Sequence, residues 1–336
     1  MRTISWSETE GGQILLFDQT RLPLEMVELV VGTHSELIEA IKRLAIRGAP
    51  ALGVAGALGV ALIMRNCERS GWNIADRDRA IADLRSARPT AVNLAWGVDQ
   101  VRPLIDSGSA AVLKRALEIA AADAAANRAM GALGADAIEL LIPDKKLRLL
   151  THCNTGALAT TEWGTALGVI RELHNRGRVE EVFADETRPL LQGSRLTAWE
   201  LSQLKIPYRV LPDGAAASAL FAGLIDAVLI GADRIARNGD SANKIGSLAV
   251  AVAAHAAHIP FYVVAPESTV DRNLSDGSQI EIEFRSDSEV TQFAGVATAP
   301  LGSRTYNPAF DVTPARFITA VITEQRLYRV SEGETL

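Results

Sequence analysis

From about residue 147 onward, short apolar runs alternate with helical stretches, and this rhythm constrains the fold more than any other feature. The apolar runs are LRLLTHC, VEEVFADE, YRVLPD, AVLIGAD and IPFYVVAP, and a segment of helical character separates each from the next. Nearly continuous apolar strands joined by helices are typical of a parallel sheet that is covered on both faces. This part of the chain is therefore expected to form an α/β domain.

The preceding part of the chain, from about residue 34 to 142, has a mostly helical pattern. Apolar residues recur there at spacings of three and four, whereas only ILLFDQ and MVELVV near the N-terminus have the β-rich character of strands. A chain of 336 residues is long enough for about two domains. We place a small, mostly helical domain with a few strands at 1–135 and a parallel-sheet domain at 136–336.

Charge and composition exclude several classes of protein. The chain has 40 acidic and 34 basic residues, and its net charge of −6 argues against duplex nucleic acid or an anionic membrane as the main partner. Two cysteines are too few for a disulfide framework, and no apolar signal core is present, which favours the reducing cytoplasm. Two uncharged runs, 48–64 and 245–266, are interpreted as buried elements of a soluble protein because glycine, proline and histidine interrupt them.

Polar side chains follow four of the five apolar runs, at the point where each predicted strand ends. These residues are His152, Cys153, Asn154, Asp185, Glu186, Asp213 and Asp233. Ligands of open α/β sheets bind beyond the carboxyl ends of the strands, so the pattern predicts an active site at that edge. Helix N-capping would explain Asp213 alone equally well, but it does not explain all four strand ends together.

Two of these residues have chemistry that suits catalysis. Cys153 follows a strand and precedes a predicted helix, whose N-terminus would favour the thiolate, whereas Cys67 fits a small buried hydrophobe. Asp233 ends an apolar run, where burial is expected to raise the pKa of a carboxyl and to suit it to general acid catalysis. The alternatives are a buried thiol without a function and an ion pair between Asp233 and Arg234.

Basic residues next to glycine form a third set. Arg47, Gly48 and Ala49 open the first apolar run as a helix, Arg88 lies in a loop, and Asn243–Lys244 are expected to open a later helix. A helix N-terminus beside a cationic side chain is suited to bind an anion. Each basic residue alone fits a solvated surface charge, but together they indicate a phosphate-bearing small molecule.

The motifs of common cofactors are missing from the sequence. It contains no glycine-rich dinucleotide motif after a strand, no P-loop and no nucleophile elbow. His255 and His258 are three residues apart on a predicted helix, but no cysteine or carboxylate accompanies them there, which favours a surface pair over a metal site. We therefore expect neither a cofactor nor a metal.

Five longer segments are distinctive enough to compare with known families. They are RGAPALG from Arg47, RPTAVNL from Arg88, THCNTGALAT from Thr151, DETRPLLQGSRLTAWEL from Asp185 and GADRIARNGDSANKIG from Gly231. Together they closely resemble the methylthioribose-1-phosphate isomerase family, and the match extends from Asp18 to Glu324. The wider superfamily also contains regulatory subunits of translation initiation factor 2B and archaeal ribose-1,5-bisphosphate isomerase.

The resemblance implies a smaller N-terminal domain followed by a Rossmann-like domain, in a homodimer. It also implies an aldose–ketose isomerase that converts 5-methylthioribose 1-phosphate to 5-methylthioribulose 1-phosphate in methionine salvage. By resemblance, Asp233 is the proton donor and Cys153 stabilises the transition state. The residues implied for substrate binding are Arg47, Gly48, Ala49, Arg88, Gln192, Asn243 and Lys244.

The sequence departs from the family pattern at three positions. Ser194 replaces Ala and Ser247 replaces Thr, which keeps both residues small, whereas Phe284 replaces a Glu outside the expected site.

Two other functions remain open. A non-catalytic regulatory subunit would share the fold, although Cys153 and Asp233 in intact motifs argue against it. An isomerase of ribose 1,5-bisphosphate or 5-deoxyribose 1-phosphate would differ in the residues around C5 of the sugar.

Overall fold

Residues 2–89 and 91–336 are described by a computed structural model, in which the chain divides into two units. The first unit contains the chain up to Ala129 together with Gly156–Thr165. The second unit contains Met130–Thr155 and Ala166–Leu336. Because the segment Gly156–Thr165 belongs to the first unit, no single cut in the chain separates the two.

The first unit is mostly helical, as its sequence pattern predicts. Its elements are β1 (Ile4–Ser7), β2 (Gln13–Phe17), β3 (Glu28–Val31), α1 (His34–Lys42), α2 (Ala49–Ser70), α3 (Ile74–Arg85), α4 (Val92–Val101) and the first part of α5 (Ser109–Leu141). The three strands form an antiparallel sheet in the order β1-β2-β3. A capping box begins α1, because Thr33 and Glu36 each accept a hydrogen bond from the other's backbone N–H.

Helix α2 is the first of the two uncharged runs, and it lies in the core of its unit. Every residue from Ala51 to Met64 is buried. The helix is long and apolar enough to cross a membrane by length and composition alone, but most of its apolar stretch is covered by other parts of the protein. The expectation that this run is a buried element is confirmed.

Glycines let α2 and α4 approach each other closely. A Cβ atom at Gly97 would lie 1.9 Å from the carbonyl oxygen of Gly53, and one at Gly56 would lie 2.4 Å from the carbonyl oxygen of Leu94. Both distances are far shorter than a non-bonded contact allows, so backbone approaches backbone at these points. The spacing of glycines in the apolar run is therefore a requirement of helix packing.

We expect Gly97→Ala to lower the free energy of unfolding by about 1–3 kcal/mol or more, because the new methyl group meets backbone that cannot rotate away. Urea unfolding of the variant and the parent protein measures this difference. The matched control is Gly32→Ala, whose nearest new contact is the end of the Glu36 side chain at 3.9 Å. Equal stability of the two variants would contradict the close approach of α2 and α4.

The second unit contains the predicted alternation of strands and helices. After the end of α5, its elements are β4 (Leu147–Thr151), α6 (Ala166–Asn175), β5 (Val179–Asp185), α7 (Ala198–Gln203), β6 (Tyr208–Leu211), α8 (Ala216–Phe221), β7 (Ala227–Ile230), β8 (Arg234–Ala236), β9 (Ser241–Lys244), α9 (Ser247–Ala256), β10 (Phe261–Val264), β11 (Val270–Asp271), α10 (Ser288–Thr291), β12 (Gln292–Phe293), β13 (Val296–Ala297), β14 (Phe310–Thr313), β15 (Ala320–Ile322) and β16 (Leu327–Tyr328).

The central sheet has the strand order β16-β15-β10-β7-β4-β5-β6. All neighbouring strands from β15 to β6 are parallel, and β16 is antiparallel at one edge. Strands β7 and β10 are buried along their whole length, which explains their continuous apolar sequences. The expected parallel sheet is confirmed, and the carboxyl ends of β7, β4, β5 and β6 follow one another along the same edge.

A second sheet, with the strand order β11-β8-β9-β14, was not anticipated from the sequence. It corrects two expectations. Asp233 does not end β7 but lies in the connection from β7 to β8. Asn243–Lys244 do not open a helix, because they belong to β9, which pairs with β8 on one side and β14 on the other, and α9 begins only at Ser247.

Candidate active site

Cys153 follows β4 in a conformation that is unusual for a residue with a side chain. Its φ angle is +63°, in the left-handed region, and the residue is only 6% exposed. Its N–H donates to Oγ1 of Thr187 at 2.8 Å, and its carbonyl oxygen accepts from Oγ1 of Thr197 at 2.6 Å. Such a conformation costs free energy and is common at functional sites. Two hydroxyl groups thus fix both peptide groups around the thiol.

The helix that was expected directly after Cys153 is a wrong prediction. The chain instead forms a short 3₁₀ turn at Ala157–Ala159, and α6 begins only at Ala166. Trp163 and Gly164 have φ angles of +77° and +99°, which an α-helix does not contain. The backbone at Cys153 is therefore held by hydroxyl groups, rather than by the start of a following helix.

A turn of π-helix at Gly193–Thr197 leads into α7 beside the end of β5. A Cβ atom at Gly193 would lie 1.6 Å from the carbonyl oxygen of Asp185, so only glycine fits there. Gln192, which precedes the turn, is 5% exposed, and its Oε1 accepts no hydrogen bond from the described residues. A buried acceptor without a donor lowers the stability of the folded protein, and this oxygen is suited to accept a hydrogen bond from a ligand hydroxyl group.

His152 is fully buried, and both of its ring nitrogens have oxygen partners. Nδ1 lies 2.9 Å from Oδ2 of Asp185, and Nε2 lies 2.8 Å from the carbonyl oxygen of Ile245. A carbonyl oxygen can only accept, so Nε2 carries a proton. Burial alone would lower the pKa of His152, but the hydrogen bond with Asp185 and the charges of Asp185 and Asp213 raise it. The proton on Nε2 and the contact of Nδ1 with Asp185 therefore fix the orientation of the ring.

Asp213 holds the loop that follows β5. Its two carboxylate oxygens accept the backbone N–H groups of Thr187 and Arg188 at 2.8 and 2.7 Å. Both oxygens thus bind the backbone of a neighbouring loop. The helix-capping alternative for Asp213 is wrong, because the N-cap residues of the 3₁₀ turn and of α8 that follow are Pro212 and Ala215. The same loop carries the Thr187 hydroxyl group that binds Cys153.

The ligand atoms of His152, Asp185 and Asp213 lie within 4.8 Å of one another, which is close enough to hold a metal ion. The donor set does not fit one, however. Both ring nitrogens are engaged by oxygen atoms, and both Asp213 oxygens accept amide protons. Elsewhere, His255 is exposed on α9 and His258 lies beyond the end of that helix.

Asp233 lies next to the predicted substrate residues of β9. Its N–H donates to the carbonyl oxygen of Ala242 at 2.9 Å, and the pairing of Arg234 with Ala242 places Asp233 beside Asn243. The guanidinium of Arg234 is 3.9 Å from Asp271. Burial lowers the pKa of Arg234, and the charges of Asp271 and Asp233 oppose this effect. The predicted acid and one predicted substrate ligand are therefore neighbours.

Asn243 and Lys244 are fixed by contacts within their own turn. Nδ2 of Asn243 donates to Oγ of Ser247 at 2.8 Å, and that hydroxyl group donates to the carbonyl oxygen of Lys244 at 2.8 Å. Nζ of Lys244 donates to the carbonyl oxygen of Ala309 at 2.9 Å and lies 4.5 Å from the ring centre of Phe310. Ser247 thus keeps the hydrogen-bonding hydroxyl group of the Thr that it replaces.

Asp311, which the sequence analysis missed, fixes the next part of this turn. Its carboxylate accepts the N–H groups of Gly246 and Leu248 at 2.7 and 3.0 Å and so caps α9, whose own N-cap residue is glycine. Burial raises the pKa of Asp311, although the two N–H groups oppose this effect. The register between β14 and β9 places Asp311 opposite Asn243.

The other predicted substrate residues belong to the first unit. Arg47, Gly48 and Ala49 lie at the start of α2, where Gly48 has a φ angle of +92°. A Cβ atom at Gly48 would lie 2.3 Å from the carbonyl oxygen of Ala159, so no side chain fits. Arg88 lies between α3 and α4, and Thr90, two residues further along the chain, is outside the described residues. The substrate-binding and catalytic roles of the residues in both units stay predictions.

Residues 45–327 match the initiation factor 2 subunit family. A relative from Gloeobacter violaceus, named methylthioribose-1-phosphate isomerase, is 47% identical over 99% of this chain and 94% of its own length. A 5-deoxyribose 1-phosphate isomerase from Moorella thermoacetica is 48% identical over 97% of this chain and 93% of its own. A probable bifunctional methylthioribose-1-phosphate isomerase/methylthioribulose-1-phosphate dehydratase from Nocardia farcinica is 53% identical over 96% of this chain, which spans only 58% of that longer relative.

Two solved structures share the fold over almost the whole chain. A 5-methylthioribose 1-phosphate isomerase from Pyrococcus horikoshii is 38% identical, with a TM-score of 0.88 over 98% of this chain and 92% of that one. The delta subunit of translation initiation factor eIF-2B from A. fulgidus is 39% identical, with a TM-score of 0.85 over 98% of this chain and 96% of that one.

Proposed function

We propose that this chain, which belongs to the initiation factor 2 subunit family, is an aldose–ketose isomerase that converts 5-methylthioribose 1-phosphate to 5-methylthioribulose 1-phosphate. Relatives 47% and 46% identical over almost the whole chain carry the name of this activity. The structural observation that carries the proposal is the left-handed conformation of Cys153, with both adjoining peptide groups bound by hydroxyl groups. Such fixed geometry at the edge of the sheet suits a residue that acts on a substrate.

The substrate sets the first chemical requirement. Its anomeric oxygen carries phosphate, so the ring cannot open as that of a free aldose does. In the proposed first step, a protonated Asp233 gives its proton to the ring oxygen as the bond between this oxygen and C1 breaks. The position of Asp233 beside Asn243 supports this assignment, because a ligand of β9 would lie next to the acid.

The second step moves hydrogen from C2 to C1, while the C2 hydroxyl group loses its proton and becomes the ketone. The hydrogen moves either as a proton through an enediol or as a hydride, and Cys153 lies near the reacting carbons in both schemes. One proton enters at the ring oxygen and one leaves from the C2 hydroxyl group, so the reaction is balanced. Solvent deuterium at C1 of the product would identify the proton-transfer route.

Phosphate binding is the predicted role of the basic residues. The ammonium group of Lys244 donates to the carbonyl oxygen of Ala309, which fixes its position in the turn. Arg47 with the amides of Gly48 and Ala49, and Arg88, complete the predicted set. Fixing the phosphate would fix the distance between C1 and the catalytic groups. The unsatisfied Oε1 of Gln192 is suited to a sugar hydroxyl group.

A related activity, isomerisation of 5-deoxyribose 1-phosphate, is the second candidate, because a relative that is 48% identical carries this name. Both substrates have the same reacting atoms and the same phosphate. They differ at C5, where one carries a methylthio group and the other only hydrogen. An apolar pocket distinguishes such groups by about 10- to 200-fold in kcat/KM.

The test is to incubate purified full-length protein with 5-methylthioribose 1-phosphate, 5-deoxyribose 1-phosphate and ribose 1,5-bisphosphate, and to measure kcat/KM for each. We expect the highest value for the methylthio substrate, by at least about 10-fold. Faster turnover of either other substrate would reassign the specificity. Absence of turnover with all three would favour the non-catalytic regulatory subunit.

We further propose that the protein acts in methionine salvage in the cytoplasm as a homodimer, without nucleic acid or membrane partners. The resemblance supports the dimer, and the net charge of −6 supports the absence of anionic polymers among its partners. Light scattering during gel filtration should give about twice the chain mass of 35.9 kDa. A monomer mass would contradict the dimer.

Phe284 is exposed, and its ring contacts the ring of Tyr306. Nothing in the described part of the chain explains why Phe replaces Glu at this position.

A further inference from the structure

His152 joins two parts of the proposed active site that are distant in sequence. It directly precedes Cys153, and its Nε2 donates to the carbonyl oxygen of Ile245, which directly follows Lys244. On its other side, Nδ1 is held by Asp185 at the end of β5. One fully buried ring thus connects the strand that carries the thiol with the turn that carries the predicted phosphate-binding lysine.

The turn from β9 to α9 has defined contacts on its other side as well. The N–H of Ile245 donates to the carbonyl oxygen of Ala309 at 3.1 Å, and Asp311 accepts from Gly246 and Leu248. Those contacts come from β14 and the residue before it, whereas His152 contributes the contact from the central sheet. Removing the ring would remove this hydrogen bond between the turn and the central sheet.

The shape of the turn also depends on the ring. Gly246 has a φ angle of +107°, and a Cβ atom there would lie 2.7 Å from Cε1 and 2.9 Å from Nε2 of His152. A ring atom of a buried residue cannot move away without moving β4 or Asp185. The turn and the ring are therefore in direct contact through atoms that leave no space for a methyl group.

We propose that His152 is a positioning residue, whose buried ring holds the turn at Lys244–Ser247 in a fixed position relative to Cys153. This inference rests on the isomerase function proposed above. The ring does not contact the substrate and instead sets the distance between the thiol and the group that binds the phosphate. A misplacement of about 1 Å between such groups can lower the rate by about 100-fold.

The surroundings of the ring hold it from both sides. Asp185 on β5 and Asp213 after β6 act on the pKa of His152, and Asp311 on β14 lies within electrostatic reach. Burial raises the pKa of Asp185 as well, so this carboxyl group and Nδ1 share one proton, while Nε2 keeps its own proton for Ile245. The ring is therefore bound on both sides by hydrogen bonds.

Two neutral variants separate the two hydrogen bonds. The amide nitrogen of Gln reaches the position of Nε2, so His152→Gln keeps the donor to Ile245, whereas the shorter Asn in His152→Asn keeps only the donor to Asp185. We expect His152→Asn to lower kcat by about 100-fold and His152→Gln by less than about 10-fold, with similar KM values. A purely structural role would instead lower the fraction of folded protein, without this order in kcat.

Gly246→Ala tests the same contact from the other side. Its methyl group would displace the ring, so we expect a loss of kcat like that of His152→Asn. The control is Gly223→Ala, which also has a positive φ angle, +68°, but no atom within 4 Å of the new methyl group. If Gly246→Ala and Gly223→Ala have the same kcat, or if His152→Asn is as active as His152→Gln, the positioning role is wrong.

The state of the ring can be measured without a substrate, which separates this inference from the proposed function. Nitrogen-15 spectra of histidine-labelled protein contain five histidines, and the His152→Gln variant identifies the signal of His152. We expect Nε2 of His152 to carry a proton at pH 7.5, because it donates to the carbonyl oxygen of Ile245. An Nε2 without a proton would overturn the proposal. Wild-type protein that turns over none of the three sugar phosphates would instead overturn the proposed isomerase function.

Discussion

Asp233→Asn should lower kcat for 5-methylthioribose 1-phosphate by about 100- to 10,000-fold, while the dissociation constant of the substrate changes little. The reason is chemical, because an amide cannot give a proton to the ring oxygen as the bond to C1 breaks. The substitution keeps the shape of the side chain. The hydrogen bond from residue 233 to Ala242 uses the backbone, so the connection between β7 and β8 is retained. Steady-state kinetics gives kcat, and calorimetry with the slow variant gives the dissociation constant.

The control for this prediction is Asp271→Asn, in the same small sheet. Asp271 faces Arg234 from β11 at 3.9 Å, so this variant removes a nearby carboxylate that has no proposed part in the chemistry. We expect its kcat to stay within a few-fold of the wild-type value. If Asp233→Asn keeps more than about a tenth of the wild-type kcat, Asp233 is not the general acid.

Five of the seven strands of the central sheet, β4, β5, β6, β7 and β10, could be predicted because each has a local signal, whereas β15 and β16 were not predicted. Strands β7 and β10 are covered on both faces, so burial alone requires an apolar sequence, and the residues that follow the strands must lie at the carboxyl edge. Position along the chain was therefore enough to place His152 and Asp185 near each other. Their hydrogen bond follows from the parallel pairing of β4 with β5.

The small sheet could not be predicted, because its strands are short and polar. The sequence SANK at β9 has no apolar periodicity, and it is a strand only because β8 and β14 pair with it. That pairing places Asp311 opposite Asn243, although 68 positions separate them in the numbering. No local pattern marks an aspartate that will cap a helix from another strand.

The segment after Cys153 illustrates a different limit. Its alanine and threonine residues are compatible with a helix, yet Gly156–Thr165 belongs to the first unit. There, Ala159 lies against Gly48, at a distance that excludes any side chain on the glycine. Tertiary contacts of the first unit thus decide the conformation of residues that interrupt the second, and helix propensity is overridden.

Cys153→Ala should lower kcat by about 100- to 1,000-fold with a small change in KM, as expected when one group that stabilises a transition state is removed. The substitution does not change the φ angle or the backbone hydrogen bonds that residue 153 must adopt. Alanine tolerates a φ angle of +63° no worse than cysteine does, and the hydrogen bonds to Thr187 and Thr197 involve only the backbone of residue 153. The free energy of unfolding should fall by only about 1 kcal/mol, for the loss of one buried sulfur atom.

Cys67→Ala is the matched control, because Cys67 packs against the core of the first unit and burial raises the pKa of its thiol. We expect this variant to lose about as much stability as Cys153→Ala and to keep its kcat. Equal kcat values for the two alanine variants would mean that the Cys153 thiol only fills space. The strained backbone at residue 153 would then serve to present neighbouring groups, and the carbon chemistry would depend on Asp233 without the thiol.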